Sequence, residues 1–226
     1  MLMDTKALAL ALAFFLAAVG LGFAAPAPPK KEVNQMLTLV NRDHPIGKEY
    51  VPETLVMPQV KPAPGKESNI QLRPEAAAAL EKLFLGAQKD GITLYAVSGY
   101  RSFATQRLLF QNKAEQVGEK QAMRTVAPPG TSEHQLGLAM DVNGRTTLKL
   151  GLVQAFAESP EGMWVADHAH RYGFIIRYPK GKTDITGYSW EPWHLRYIGV
   201  EAALQVHSLD ITLEEYHLIL EMAGHT

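Results

Sequence analysis

The sequence predicts an α+β fold, with a small antiparallel sheet flanked by helices in a single domain. Two observations predict it. Stretches with helical apolar spacing and stretches with strand alternation are interspersed along the 226 residues, but they lack the steady strand–helix–strand rhythm of a parallel sheet. There is also no internal repeat, which excludes a solenoid or propeller.

The elements follow in order. Residues 74–89 predict a helix: Pro74 suits the first helical position and Gly91 the stop, and Ala76, Leu80, Leu83, Phe84 and Ala87 form one apolar stripe. Residues 92–97 alternate as a strand, with Ile92, Leu94 and Ala96 on one face. A second helix is expected over 103–117, closed off by the break Ala127-Pro128-Pro129-Gly130. Residues 138–143 read as a strand that points Leu138, Met140 and Val142 to the core and Asp141 to the other face. Ser159 and Pro160 open a helix that ends near Gly173. Strands are expected at 174–178 and 193–198, and Thr212 with Glu215 forms a capping box for a C-terminal helix. Upstream, His44-Pro45 and Tyr50-Val51-Pro52 predict an ordered wrap over the domain, and 58–65 a loop. Apart from the capping box, the region beyond Gly199 is less diagnostic.

Composition removes several function classes. Twenty-two lysines and arginines against 23 aspartates and glutamates leave a formal charge of −1, which argues against nucleic acid as partner. There is no cysteine, so thiolate metal sites, disulfides and a cysteine nucleophile are excluded. Lys6, the apolar run over 7–23, and small residues at Gly22 and Ala24 follow the order of an export signal. Residues 1–25 are therefore expected to be a signal peptide or an uncleaved N-terminal anchor. A Pro-rich linker is expected over 26–36 and the functional domain over 37–226. The domain should work outside the cytoplasm, touching a membrane only through an uncleaved N-terminus.

The candidate chemistry lies in two segments. Ser132-Glu133-His134-Gln135-Leu136-Gly137-Leu138-Ala139-Met140-Asp141 and Glu191-Pro192-Trp193-His194 contain a kit for a hydrolytic zinc site. Such sites use three nitrogen or oxygen ligands with an open fourth position, plus a carboxylate that handles a proton without binding the metal. His134, Asp141 and His194 can fill the first role and Glu191 the second. Spacing makes a demand on this reading. Seven residues span roughly 23 Å in a strand and about 10 Å in a helix, so His134 and Asp141 meet only if the chain bends between them, which Gly137 permits. That predicts His134 on an incoming loop and Asp141 on the strand. Glu191 and His194 need a tight turn or bulge at a strand end, since Pro192 disfavours helix at Glu191. Taken singly, each has a plainer reading: solvated polar residues for His134 and Asp141, a surface carboxylate for Glu191, a packed core histidine for His194. Together they fill each role once. Arg101, just past the 92–97 strand, can point into a cleft and hold a carbonyl or a developing oxyanion, or can be merely solvated. Ser132 can cap a turn or bind a substrate carboxylate. His168 and His170, two apart on a helix, face different sides and are read as non-ligands.

Three ordered motifs, Ser98-Gly99-Tyr100-Arg101-Ser102, Ser132-x-His134-x-x-Gly137-x-Ala139-x-Asp141 and Glu191-x-Trp193-His194, resemble the VanY type of zinc D-alanyl-D-alanine carboxypeptidase. The likeness runs from about residue 39 to 199. It implies a compact fold with one catalytic Zn2+ held by His134, Asp141 and His194. It also implies Glu191 as general base, Arg101 polarising the scissile carbonyl, and Ser132 helping to hold the substrate's terminal carboxylate. The implied substrate is a peptidoglycan stem peptide that loses its terminal D-alanine. An L,D-carboxypeptidase or stem-peptide endopeptidase with the same site is the alternative, and a non-catalytic wall-binding module a more distant one. A monomer is expected.

Overall fold

The computed structural model describes residues 35–223. The expected signal segment, and the linker up to residue 34, lie outside the described residues. Among the described residues, no helix is long and apolar enough to cross a membrane.

The elements are α1 (Pro74–Lys89), β1 (Leu94–Ser98), α2 (Phe103–Val117), α3 (Glu119–Ala122), β2 (Ala139–Gly144), α4 (Pro160–His168), β3 (Phe174–Tyr178), α5 (Thr183–Thr186), β4 (Glu191–Tyr197), α6 (Val200–Leu209) and α7 (Leu213–Met222). The sheet has the order β1-β2-β4-β3, and every neighbouring pair is antiparallel. Residues 38–55 wrap without regular structure, as the prolines require.

Local signals explain the helix bounds. Pro74 starts α1, whose residues Ala76, Leu80, Leu83 and Ala87 are buried along one stripe; sequestering Leu80 and Leu83 contributes about 2–3 kcal/mol each. Ser102 caps α2 by accepting from the Thr105 amide at 3.1 Å. Ser159 does the same for α4 from Gly162, also at 3.1 Å. The capping box of α7 is complete: Glu215 N donates to Thr212 Oγ1 at 3.2 Å, and Thr212 N to Glu215 Oε2 at 2.8 Å. The helix expected to run to Gly173 is α-helical only to His168; it tightens into a 3-10 turn over Ala169–Tyr172 and stops at Gly173, φ +85°. Helix α6, which no sequence signal marked, starts after Gly199 without a side-chain cap. It forms because Ala202, Ala203 and Val206 bury against a second apolar cluster with Ile175, Leu213 and Tyr216.

The sheet separates core from site. Leu94, Ala96, Met140, Val142 and Leu195 join α1 and α4 residues in the main apolar cluster. Asp141 and His194 alternate with these residues and are Cα partners across β2 and β4, so both stand on the opposite face. Two irregularities shape that face. Between Ala96 and Ser98, β1 advances two residues while β2 advances one. Between Ile176 and Tyr178, β3 advances two while β4 runs from Leu195 back to Glu191. Strand β4 thus begins two residues earlier than expected and carries Pro192 inside a bulge, where a missing amide is tolerated.

Candidate active site

The bulge in β4 answers the spacing problem at Glu191 and His194. Three apart on a regular strand, they would face opposite sides; here Glu191 Oε2 lies 4.0 Å from His194 Nδ1. The approach to Asp141 is solved by a 3-10 turn over Glu133–Leu136, closed by Gly137 at φ +70°. Only glycine adopts that conformation at no steric cost, and a Cβ there would also meet Leu55 Cδ2 at 3.0 Å. His134 therefore sits on a short helical turn rather than an open loop, and the chain reverses into β2 to bring Asp141 beside it.

One ligand atom each from His134, Asp141 and His194 lies within 4.8 Å of the others, and all three residues are buried. The imidazoles are differently oriented. His134 Nδ1 is 2.7 Å from the Gly99 carbonyl and can only donate to it, which leaves the Nε2 lone pair facing Asp141 Oδ2 at 3.4 Å. Gly99 allows the close approach of this strap, since a Cβ there would lie 2.4 Å from the Gln71 carbonyl oxygen. His194 instead turns Nδ1 to Asp141 Oδ1 at 3.1 Å and Nε2 toward Glu133 Oε2 at 3.6 Å.

Burial and neighbouring charge set the protonation states. Burial, then Arg101, lowers His134 to about 4, so its imidazole is neutral at pH 7. Burial works against a charge on His194, but the Asp141 and Glu133 carboxylates beside it override that and raise the pKa to about 9. Burial pushes Glu191 up to about 7 against the pull of His194, helped by the Asp141 charge. Burial alone would raise Asp141, yet His134 and Arg101 hold it well below the usual carboxylate range.

This donor set fits zinc. It offers two imidazole nitrogens and one carboxylate, the ligand types of catalytic zinc sites. The unpartnered buried atoms His194 Nε2 and Glu133 Oε2 face each other where a metal-ligating histidine needs an outer acceptor. Ser132, His134, Asp141, Glu191, His194 and Arg101 all line one cleft of about 820 Å³. Two details differ from the simplest expectation. Arg101 is not free in the cleft: Nη2 pairs with Asp141 Oδ2 at 2.5 Å and Nε donates to Ser98 Oγ at 2.8 Å. Ser132 precedes the 3-10 turn without capping it. His168 stacks on Trp164 at 4.6 Å and His170 on His207 at 3.6 Å, outside the ligand cluster.

Sequence reasoning missed the charges behind the site. Glu133, Arg177 and Arg196 are fully buried. Glu133 Oε1 accepts from Arg177 Nε and Arg196 Nη1, both at 2.7 Å. Arg177 is held from its other side by Glu214 of α7, at 2.8 and 2.6 Å. The available signal was Arg177 itself, a charge in the otherwise apolar β3 that had to find a buried partner.

Known proteins resemble this chain over most of the described residues. The family model for VanY, D-alanyl-D-alanine carboxypeptidase, matches residues 69–200. The chain belongs to the VanY family. It is 48% identical over 184 residues to YodJ of Bacillus subtilis (strain 168), covering 80% of this chain and 66% of that protein's length. The solved structure of the LdcB LD-carboxypeptidase is 46% identical, with TM-score 0.77, covering 83% of this chain and 87% of the other. A structure of the vancomycin resistance D,D-pentapeptidase VanY, a variant in complex with Zn(II), is 36% identical with TM-score 0.67, covering 80% and 98%.

Proposed function

We propose that this chain is a zinc-dependent carboxypeptidase that removes the terminal D-alanine from peptidoglycan stem peptides. The observation that carries the reading is the convergence of three ligand atoms within 4.8 Å, with an unattached carboxylate 4.0 Å from one of them. Bound Zn2+ supplies Lewis acidity, which brings the pKa of a water toward about 7 and polarises a carbonyl.

The chain's own residues do the rest. Glu191 takes a proton from the attacking water and returns it to the amine of the departing D-alanine as the C–N bond breaks. Arg101 already faces the ligand set, and its guanidinium stabilises charge growing on the carbonyl oxygen. Ser132 lines the same cleft, and its hydroxyl is the donor for the terminal carboxylate. Two neutral imidazoles and one carboxylate leave a dication with net positive charge, which suits an anionic transition state. Export through the N-terminal segment and action as a monomer complete the reading.

The likeness to the LdcB LD-carboxypeptidase favours a second specificity on the same machinery, removal of D-alanine from a tetrapeptide. The zinc-loaded protein should release D-alanine from a stem pentapeptide, read by mass spectrometry, and lose that activity to a chelator. Cleavage of the tetrapeptide alone would move the assignment to an L,D-carboxypeptidase, and no cleavage of either would sink it.

A further inference from the structure

Glu133 is buried among charges, yet they use only one of its oxygens. Oε1 accepts from both arginines, whereas Oε2 has no hydrogen-bond partner and faces His194 Nε2, which is also unpartnered, at 3.6 Å. A buried acceptor and a buried ring nitrogen aimed at each other are the two ends of one N–H···O contact. From this geometry we infer that Glu133 is the positioning residue of the metal centre. It accepts the Nε2–H of His194, fixes the tautomer with Nδ1 unprotonated, and so presents Nδ1 to the cation.

The carboxylate is built to hold still. Arg177 and Arg196 grip Oε1. Arg177 is itself forked onto Glu214, and Arg196 Nη2 donates to the Met36 and Thr38 carbonyls at 2.8 and 2.9 Å. Rotation of the Glu133 carboxylate would break charge-assisted bonds, so Oε2 stays aimed at His194. The two histidine ligands thus present opposite nitrogens. The Gly99 carbonyl exposes Nε2 of His134, and Glu133 exposes Nδ1 of His194. A carboxylate acceptor also makes the imidazole a stronger donor to a metal. This inference rests on the zinc reading of His134, Asp141 and His194.

Glu133→Gln tests it. The two arginines require the amide oxygen, so the NH2 group is forced against Nε2–H, donor against donor. Zinc affinity, measured by chelator competition at fixed pH, should fall about 10- to 100-fold. Glu214→Gln, which disturbs the same charge network without touching His194, should lower the melting temperature but keep wild-type zinc affinity. Long-range proton–nitrogen NMR of the zinc-loaded wild type should show His194 protonated at Nε2 and metal-bound at Nδ1; this reading stands even if Glu133→Gln does not fold. Wild-type zinc affinity in folded Glu133→Gln, equal loss in both variants, or metal on Nε2 of His194 would each overturn the inference while leaving the zinc reading intact. A wild-type protein that takes up no stoichiometric zinc would overturn both.

Discussion

Arg177→Met should be among the most destabilising single changes in the domain. Arg177 is fully buried and makes three charge-assisted bonds: Nε to Glu133 at 2.7 Å, and Nη1 and Nη2 to Glu214 at 2.8 and 2.6 Å. Methionine fills much of the same space, so the loss is chiefly electrostatic. Removing one partner of a buried pair costs about 3–5 kcal/mol because the other charge is left behind. Two features place this case near the lower end of that range. Glu133 keeps Arg196, and the Glu214 side chain is 13% exposed and can turn to water. At about 2–4 °C per kcal/mol for a domain of this size, a loss of about 3 kcal/mol lowers the melting temperature by about 6–12 °C. Urea denaturation of the zinc-free protein at pH 7 measures the loss directly. Adding Glu214→Leu should cost less than the two single losses summed, because the second change removes a carboxylate already stranded by the first. A loss under about 1 kcal/mol, the worth of an exposed pair, would refute the claim that this network holds the domain together.

Other perturbations separate chemistry from metal binding. Glu191→Ala should retain one zinc per chain by metal analysis, yet lose turnover by roughly 10²-fold or more; near-wild-type turnover would remove Glu191 from proton transfer. His194→Ala should purify without stoichiometric zinc, since it deletes one of the three proposed ligands; full zinc content would show that the ion sits elsewhere. The zinc-free protein should lose stability in acid. Burial alone would raise Glu133, but Arg177 and Arg196 hold it below its ordinary range, and Asp141 is likewise depressed. Depressed carboxylates contribute fully above their unfolded pKa, and that contribution drains away as pH falls from about 4.5. Denaturation midpoints that stay flat from pH 6 to 3 would contradict it, and the acid loss should be smaller in Arg177→Met, where Glu133 has lost one cation.

The sequence by itself determined those features whose causes are local. Pro74, Ser159 with Pro160, and the Thr212–Glu215 box set where α1, α4 and α7 begin, because capping acts within one turn. Period-two alternation assigned Met140 and Val142 to the core and Asp141 to the opposite face, since a strand's side-chain direction is a property of its own backbone. The kinds of donor available, with no cysteine among them, narrowed the chemistry to nitrogen and oxygen ligands. The tertiary structure alone decided convergence. Glu191 reaches the side of His194 because β4 bulges against β3, and a bulge is a mismatch between two strands that neither segment records. The buried charges are invisible for the same reason. Glu133 meets Arg177 and Arg196 across 44 and 63 residues of chain, and a charge in sequence becomes a buried one only when a distant partner offsets its desolvation.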